Sequence, residues 1–267
     1  MNRQPMPPRE TNPEIRQESE GPAFGINGFW LKVIAIVCMA LDHTAWFFFP
    51  PYEINSVGFV MRFFGKLTFP IMCFFIAEGY RHSSNIKKYL LRLGIFALIS
   101  IVPYSLAFGL ALQQRFFGIL VPNNVFITIF FGLLSLYLTD FTTDRTLRLF
   151  IVVTCAMASN LGDWPVVGVP MIYAFGRVQG RGKRVLAGVG IFLGLYALQT
   201  AIPHFQQGAA ITPSHIALIG ALFAIPLLYF YNGKRGPNAK VVKNLFYWFY
   251  PIHLLVLVLI RYLLYGY

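Results

Sequence analysis

From Phe29 onward the chain is a succession of apolar runs with short polar breaks, many of them close to the ~20 residues that cross a hydrocarbon core as a helix. The runs cover approximately 30–49, 57–79, 88–109, 120–139, 147–161, 164–176, 185–203, 212–231 and 244–265, the sixth being short. This pattern predicts an all-α polytopic membrane protein of about nine transmembrane helices. Composition removes the soluble alternative. A soluble surface carries roughly 25% charged residues, whereas this chain has 12%, with 57% AVILMFWYC. The net charge of +12 therefore reports topology before it reports a nucleic-acid partner.

Residues 1–26 hold five of the seventeen prolines, four glutamates and three arginines with almost nothing apolar. They predict a disordered cytoplasmic tail ahead of a membrane domain at 27–267. The first run contains Asp42 and His43 and lacks a small-x-small cleavage site, so it reads as a retained span with no signal peptide. Lys and Arg alternate from loop to loop. Segments 81–92, 140–148, 177–184 and 232–243 hold fourteen; the alternate segments 50–56, 110–119, 162–163 and 204–211 hold only Arg115. The positive-inside rule then predicts a cytoplasmic N-terminus and an outward C-terminus, and favours nine spans over eight.

Motif chemistry is mostly absent. Cys38, Cys73 and Cys155 lie inside apolar runs without CxxC spacing and read as packing residues, so neither a disulfide framework nor a metal site is expected. No HExxH or GxSxG occurs, and Gly188, Gly190 and Gly194 do not fit GxGxxG. The small-xxx-small spacing of Gly190 and Gly194 instead predicts close helix packing.

What remains is a short set of ionisable residues where lipid should be. An ionised side chain in hydrocarbon costs about 2.5–3.5 kcal/mol on the lenient insertion scale, which makes each a functional candidate. Lys32 lies near the inner end of the first run, and Asp42 and His43 in its outer half; Arg62, Lys66 and Glu78 lie in the second; Asp163 is in an outer turn and His253 in the last run. Several also fit a plain reading. Lys32, Glu78 and Arg81 can snorkel to headgroups, Arg62 or Lys66 can be an interior partner for Asp42 without chemistry, and His253 beside Pro251 can be a packing histidine. Asp42 and His43 point about 100° apart on a helix, so Asp42 cannot orient the adjacent imidazole; pairing with Arg62 or Lys66 across a helix interface is expected. Lys32 and His43 return to within about 20° of one face, roughly 16 Å apart along the axis. That stripe suits a ligand with an anionic head and a long reactive arm, such as an acyl-coenzyme A, with Arg81, Lys87, Lys88 and the Arg177–Arg184 loop as candidate phosphate contacts.

The runs WLKVIAIVCMALDH, GKLTFPIMCFFIAEGYRHSSNIKKYLLRL, NNVFITIFFGLLSLYL, GDWPVVGVPMIYAFG and KNLFYWFYPIHLLVLVLI, in this order, resemble the TraX family, whose named member acetylates the N-terminus of a conjugative pilin subunit. The family in turn is similar to a wider set of transmembrane acyltransferases. The lysine, ten residues, histidine pattern of Lys32 to His43 is similar to the arginine, ten residues, histidine motif of acyltransferase-3 proteins, and TFPIMCFFIAEG to an FP-containing motif of heparan-glucosaminide N-acetyltransferase. Lysine for arginine removes bidentate gripping of a phosphate or carboxylate. The resemblance implies a multi-pass acetyltransferase of the bacterial cytoplasmic membrane using acetyl-CoA. It makes His43 the catalytic histidine and Asp42 its motif partner. Lys32, Glu78, Arg81, Lys87, Lys88 and His253 are expected on the acyl-CoA side, and Arg62, Lys66, Asn124 and Asp163 about the acceptor or the oxyanion, with Asn124 or Lys66 as donors.

The expected reaction moves acetyl from cytoplasmic acetyl-CoA to an amine or hydroxyl reached from the outer side, on a peptide N-terminus, a glycan or a lipid. His43 acts as general base or transient acyl carrier. Two other readings stay open: a proton-coupled transporter or flippase using Asp42, His43, Glu78 and His253 as a relay, and a non-catalytic assembly subunit whose charges specify packing.

Overall fold

The computed structural model describes residues 24–49, 55–108, 115–116, 119–120, 124–207, 213–236 and 239–266. Helices α1 (Gly28–Phe48), α2 (Ser56–Gly65), α3 (Thr68–His82), α4 (Ile86–Ile99) and α5 (Ile101–Phe108) are followed by a hairpin of two-residue strands, β1 (Arg115–Phe116) and β2 (Ile119–Leu120). Then come α6 (Val125–Leu138), α7 (Arg145–Ala158), α8 (Gly168–Arg177), α9 (Arg181–Gln207), α10 (Pro213–Ala217), α11 (Ala224–Tyr229) and α12 (Ala239–Tyr265). Five of these twelve helix starts are written in the sequence: Asn27, Asn55, Asn85, Asn124 and Asp144 cap α1, α2, α4, α6 and α7, each accepting a backbone N–H of the first turn on its side-chain oxygen.

Each of the nine predicted runs contains helix among the described residues. Among those same described residues, however, length and hydropathy give three helices able to cross a membrane, Gly28–Phe48, Ser56–His82 and Asn244–Tyr265, or four if the bent pair Ile86–Ile99 and Ile101–Phe108 is one span. Prolines account for three of the breaks. A proline ring meets the carbonyl four residues earlier. Pro70 puts the interruption between α2 and α3 at Lys66, Pro103 puts the 40° bend between α4 and α5 at the C-terminus of α4, and Pro226 leaves 3-10 geometry over Leu218–Phe223. Each proline then sits in the first turn of the next helix, where a missing N–H costs nothing.

The core forms around α3, which is apolar on every side: Ile71, Cys73, Phe74 and Ala77 are buried, packed by α1, α6 and α8. Cys38, Cys73 and Cys155 are free and buried. Outward faces of α4, α5, α7 and α12 are lined with exposed Leu91, Ile95, Val102, Phe150, Val153 and Leu263, the surface of a membrane protein. The tail's residues 1–23 lie outside the described residues, but order begins before Gly28: Ile26 bridges Tyr231 and its N–H bonds the Phe230 carbonyl (2.9 Å).

The four basic segments meet at one end of the bundle. Arg177 pairs with Asp140 (2.8 Å), Arg184 with Glu78 (2.7 Å), Arg81 donates to the carbonyls of Gly176 and Val178, and the Lys234 carbonyl accepts from the Gly28 N–H.

One packing expectation is corrected. Positions 190 and 194 have open space around them, so Gly190 and Gly194 do not bring helices together; Gly188, against the ring of Phe175, does, as does Gly65 against Asp42. Gly65→Ala should therefore lower stability in detergent by roughly 1–3 kcal/mol through overpacking, whereas Gly190→Ala should raise it by up to about 1 kcal/mol through helix propensity. Thermal unfolding of the two variants checks both signs.

Candidate active site

Asp42 and His43, adjacent on α1, serve two different neighbours. Toward α2, the Lys66 ammonium lies 3.1 and 3.3 Å from the two carboxylate oxygens of Asp42, in a contact with side chains only 12% and 24% exposed. The absence of a side chain at Gly65 lets α1 come this close. Arg62, the other expected partner, instead donates to the carbonyls of Ala45 (3.1 Å) and Phe49 (2.7 Å) and lies over the Trp46 ring, closing the C-terminus of α1.

Toward α12, Nδ1 of His43 lies 2.6 Å from Nε2 of His253. The ring planes are 8° apart with centroids 4.9 Å apart, so the imidazoles meet edge to edge, nitrogen to nitrogen. His253 is fixed from behind: its Nδ1 is 2.7 Å from the Phe249 carbonyl oxygen and its ring stacks on that of Phe249. These contacts set the tautomers of a neutral pair. A carbonyl only accepts, so His253 carries its proton on Nδ1 and offers a lone pair at Nε2; His43 must then donate from Nδ1. Nε2 of His43 is left as a lone pair, and no bond to it is made among the described residues. Such a nitrogen can take a proton.

Around the pair, Phe108 meets the His43 ring edge-on at 5.5 Å, as Tyr250 does at 6.2 Å. Phe47, one turn beyond His43, lines a cleft of about 430 Å³ between α1, α5 and α12, with Leu106, Leu255, Val258, Leu259 and Arg261. The cleft is lined mainly by apolar side chains and lies one turn beyond His43 on α1, without either histidine in its lining.

Lys66 links this pair to the connection between α7 and α8. Its ammonium lies over the Trp164 ring at 5.5 Å and within the field of Asp163. Burial pushes the Asp163 carboxyl up to about 6, opposed by the Trp164 N–H and by Lys66 and aided by Asp42. Trp164 and Val166 both have left-handed backbone, φ 57° and 66°, which for a β-branched valine is a strained conformation. The loop is held by the Thr128 hydroxyl on the Asp163 carbonyl, the Ser159 hydroxyl accepting from the Val166 N–H, and Trp164 stacked on Phe69.

Asn124, Glu78, Arg81 and Lys32 have other partners. Asn124 is buried and bonded on both sides of its amide: its amide nitrogen donates to the Ala97 carbonyl (3.0 Å), its side-chain oxygen caps α6, and its backbone carbonyl accepts from the Asp163 N–H. Glu78 is held by Arg184 and His82 at the basic end, and Arg81 caps the C-terminus of α8. Lys32 lies over the Phe75 ring at 4.9 Å. Lys87 and Lys88 are exposed at the start of α4. Among the described residues no group of three or more His, Cys, Asp or Glu forms a metal cage.

A family model described as "TraX protein" matches residues 28–261. The chain is also similar to a protein of Dichelobacter nodosus named "Probable fimbrial assembly protein FimC, serogroup H1", 33% identical over 242 residues, covering 86% of this chain and 94% of that one. No solved structure matches it.

Proposed function

This chain belongs to the TraX family, and from that premise we propose that it is an acetyltransferase of the bacterial inner membrane, moving acetyl from acetyl-CoA to an acceptor amine with His43 as general base. The observation that carries the reading is the ordered set Phe249 carbonyl, His253, His43, which leaves Nε2 of His43 unprotonated. The acceptor amine attacks the thioester carbonyl while Nε2 takes its proton; collapse expels the coenzyme A thiolate, which recovers that proton as the thiol. Lys87 and Lys88, with Lys32 further along the same helix as His43, supply cationic contacts for the coenzyme's phosphates. The acceptor enters through the apolar cleft, and a peptide N-terminus is the favoured acceptor, in keeping with a relative named for fimbrial assembly.

The competing proton relay would need Glu78 in line with the histidines, but Glu78 lies at the basic end in a 2.7 Å contact with Arg184. Purified protein given labelled acetyl-CoA and a peptide with a free N-terminal amine should release coenzyme A thiol and acquire label on the peptide. Absence of thiol release, with pH-gradient-driven uptake in proteoliposomes, would replace the proposal with the transporter.

His253 positions the base rather than touching substrate. His253→Ala should lower kcat by about tenfold to a hundredfold, the range for loss of a group that orients a functional imidazole. His253→Gln should retain more, because its amide oxygen can still accept the Nδ1 proton of His43. Equal loss in both variants would remove the positioning role.

A further inference from the structure

Attack on a thioester places negative charge on the former carbonyl oxygen, and the reaction proposed above needs donors for it. The two side chains expected for the task are engaged elsewhere: Asn124 on Ala97 and on its own helix, Lys66 on Asp42. Tyr250 is free for it. It stands on α12 one turn before His253, is 2% exposed, and its ring meets those of His43 at 6.2 Å, His253 at 5.8 Å and Phe126 at 5.3 Å. Its hydroxyl is buried and forms no hydrogen bond. Leaving such a group unpaired costs about 1–3 kcal/mol, so a buried orphan beside two histidines calls for a ligand.

A second feature converges on the same oxygen. Val125, the first residue of the fourteen-residue α6, directs its backbone N–H toward the Tyr250 hydroxyl without closing a hydrogen bond. The N–H groups of Phe126 and Ile127 are taken by Asn124, whereas among the described residues no backbone acceptor takes that of Val125. The N-terminus of α6 also carries the positive end of the helix dipole. Tyr104 and Asp163 are the other titratable groups within the field of this hydroxyl.

We infer that the Tyr250 hydroxyl and the Val125 N–H form the oxyanion site of the transfer reaction, binding the thioester carbonyl oxygen beside Nε2 of His43. The inference rests on the acetyltransferase reading. In the step, the acceptor nitrogen forms its bond to the thioester carbon and the carbonyl π pair moves onto oxygen, where the O–H and N–H donors hold it. The amine proton goes to His43. The pair then returns, the carbon–sulfur bond breaks, and the thiolate leaves with the proton from His43.

Tyr250→Phe removes one oxygen and keeps the ring. It should lower kcat about 10²–10³-fold, the loss seen for one oxyanion donor, with KM for acetyl-CoA unchanged and thermal stability equal or higher because an unpaired hydroxyl is gone. Should that variant not fold, 3-fluorotyrosine at position 250 keeps the ring and makes the hydroxyl a stronger donor, and is expected to change kcat at constant KM. Wild-type kcat in whichever of these folds overturns the oxyanion assignment alone. A wild-type protein that transfers no acetyl overturns the acetyltransferase reading and this inference with it.

Discussion

If His43 is the general base of the proposed acetyl transfer, His43→Ala lowers the rate by about 10²–10⁴-fold, the contribution of a positioned general base, while the protein still inserts and binds acetyl-CoA. The fold is spared because, among the described residues, the hydrogen bond of the His43 side chain is the one to His253, and its ring also meets those of Phe108 and Tyr250. The measurement is thiol release from labelled acetyl-CoA in the presence of acceptor peptide, with binding followed separately. Single-turnover mixing without acceptor separates the two roles open to the imidazole: label retained on His43 means an acyl carrier, and label confined to acetyl-CoA means a base. Unchanged transfer in His43→Ala would remove the histidine pair from the chemistry altogether.

Lys66→Met should be the most destabilising single change in the site, by roughly 3–5 kcal/mol, because breaking a buried ion pair leaves a charge without a partner. Here the loss is deepened by Asp163, whose carboxyl lies in the field of the same ammonium as Asp42. Asp42→Asn in the Lys66→Met background should recover most of the loss, and a double-mutant cycle on unfolding midpoints reads the coupling directly. If the two losses simply add, the contact between α1 and α2 is held by packing at Gly65 and not by charge.

The sequence carried the helices and one of the two partnerships of the Asp-His pair. Apolar runs located helix in all nine stretches because that signal is local, as are the asparagine and aspartate caps that start five of the twelve described helices. The breaks were equally local: Pro70, Pro103 and Pro226 stand four residues after the interruptions, but hydropathy over a long window averages across them. Pairing of Asp42 with Lys66 followed from charge, since few cations lie within reach in an apolar domain. Nothing in spacing distinguished Lys66 from Arg62, and the preference arises from the approach that Gly65 allows and from the α1 carbonyls that take up Arg62. The contact between His43 and His253 spans 210 residues and has no periodic signature, so it could only be seen in three dimensions. Tyr250 was invisible for a related reason: one tyrosine among fourteen in an aromatic chain gives no sign that its hydroxyl lacks a mate.

The two imidazoles belong to helices at opposite ends of the described chain, and biosynthesis must respect that distance. After His43 has been made, the ribosome has 210 residues to add before His253 exists, which at ~5–20 residues per second takes roughly 10–40 s. Throughout that interval the nascent chain holds a histidine without the partner that sets its tautomer, so the histidine pair is complete only with insertion of the helix that carries His253.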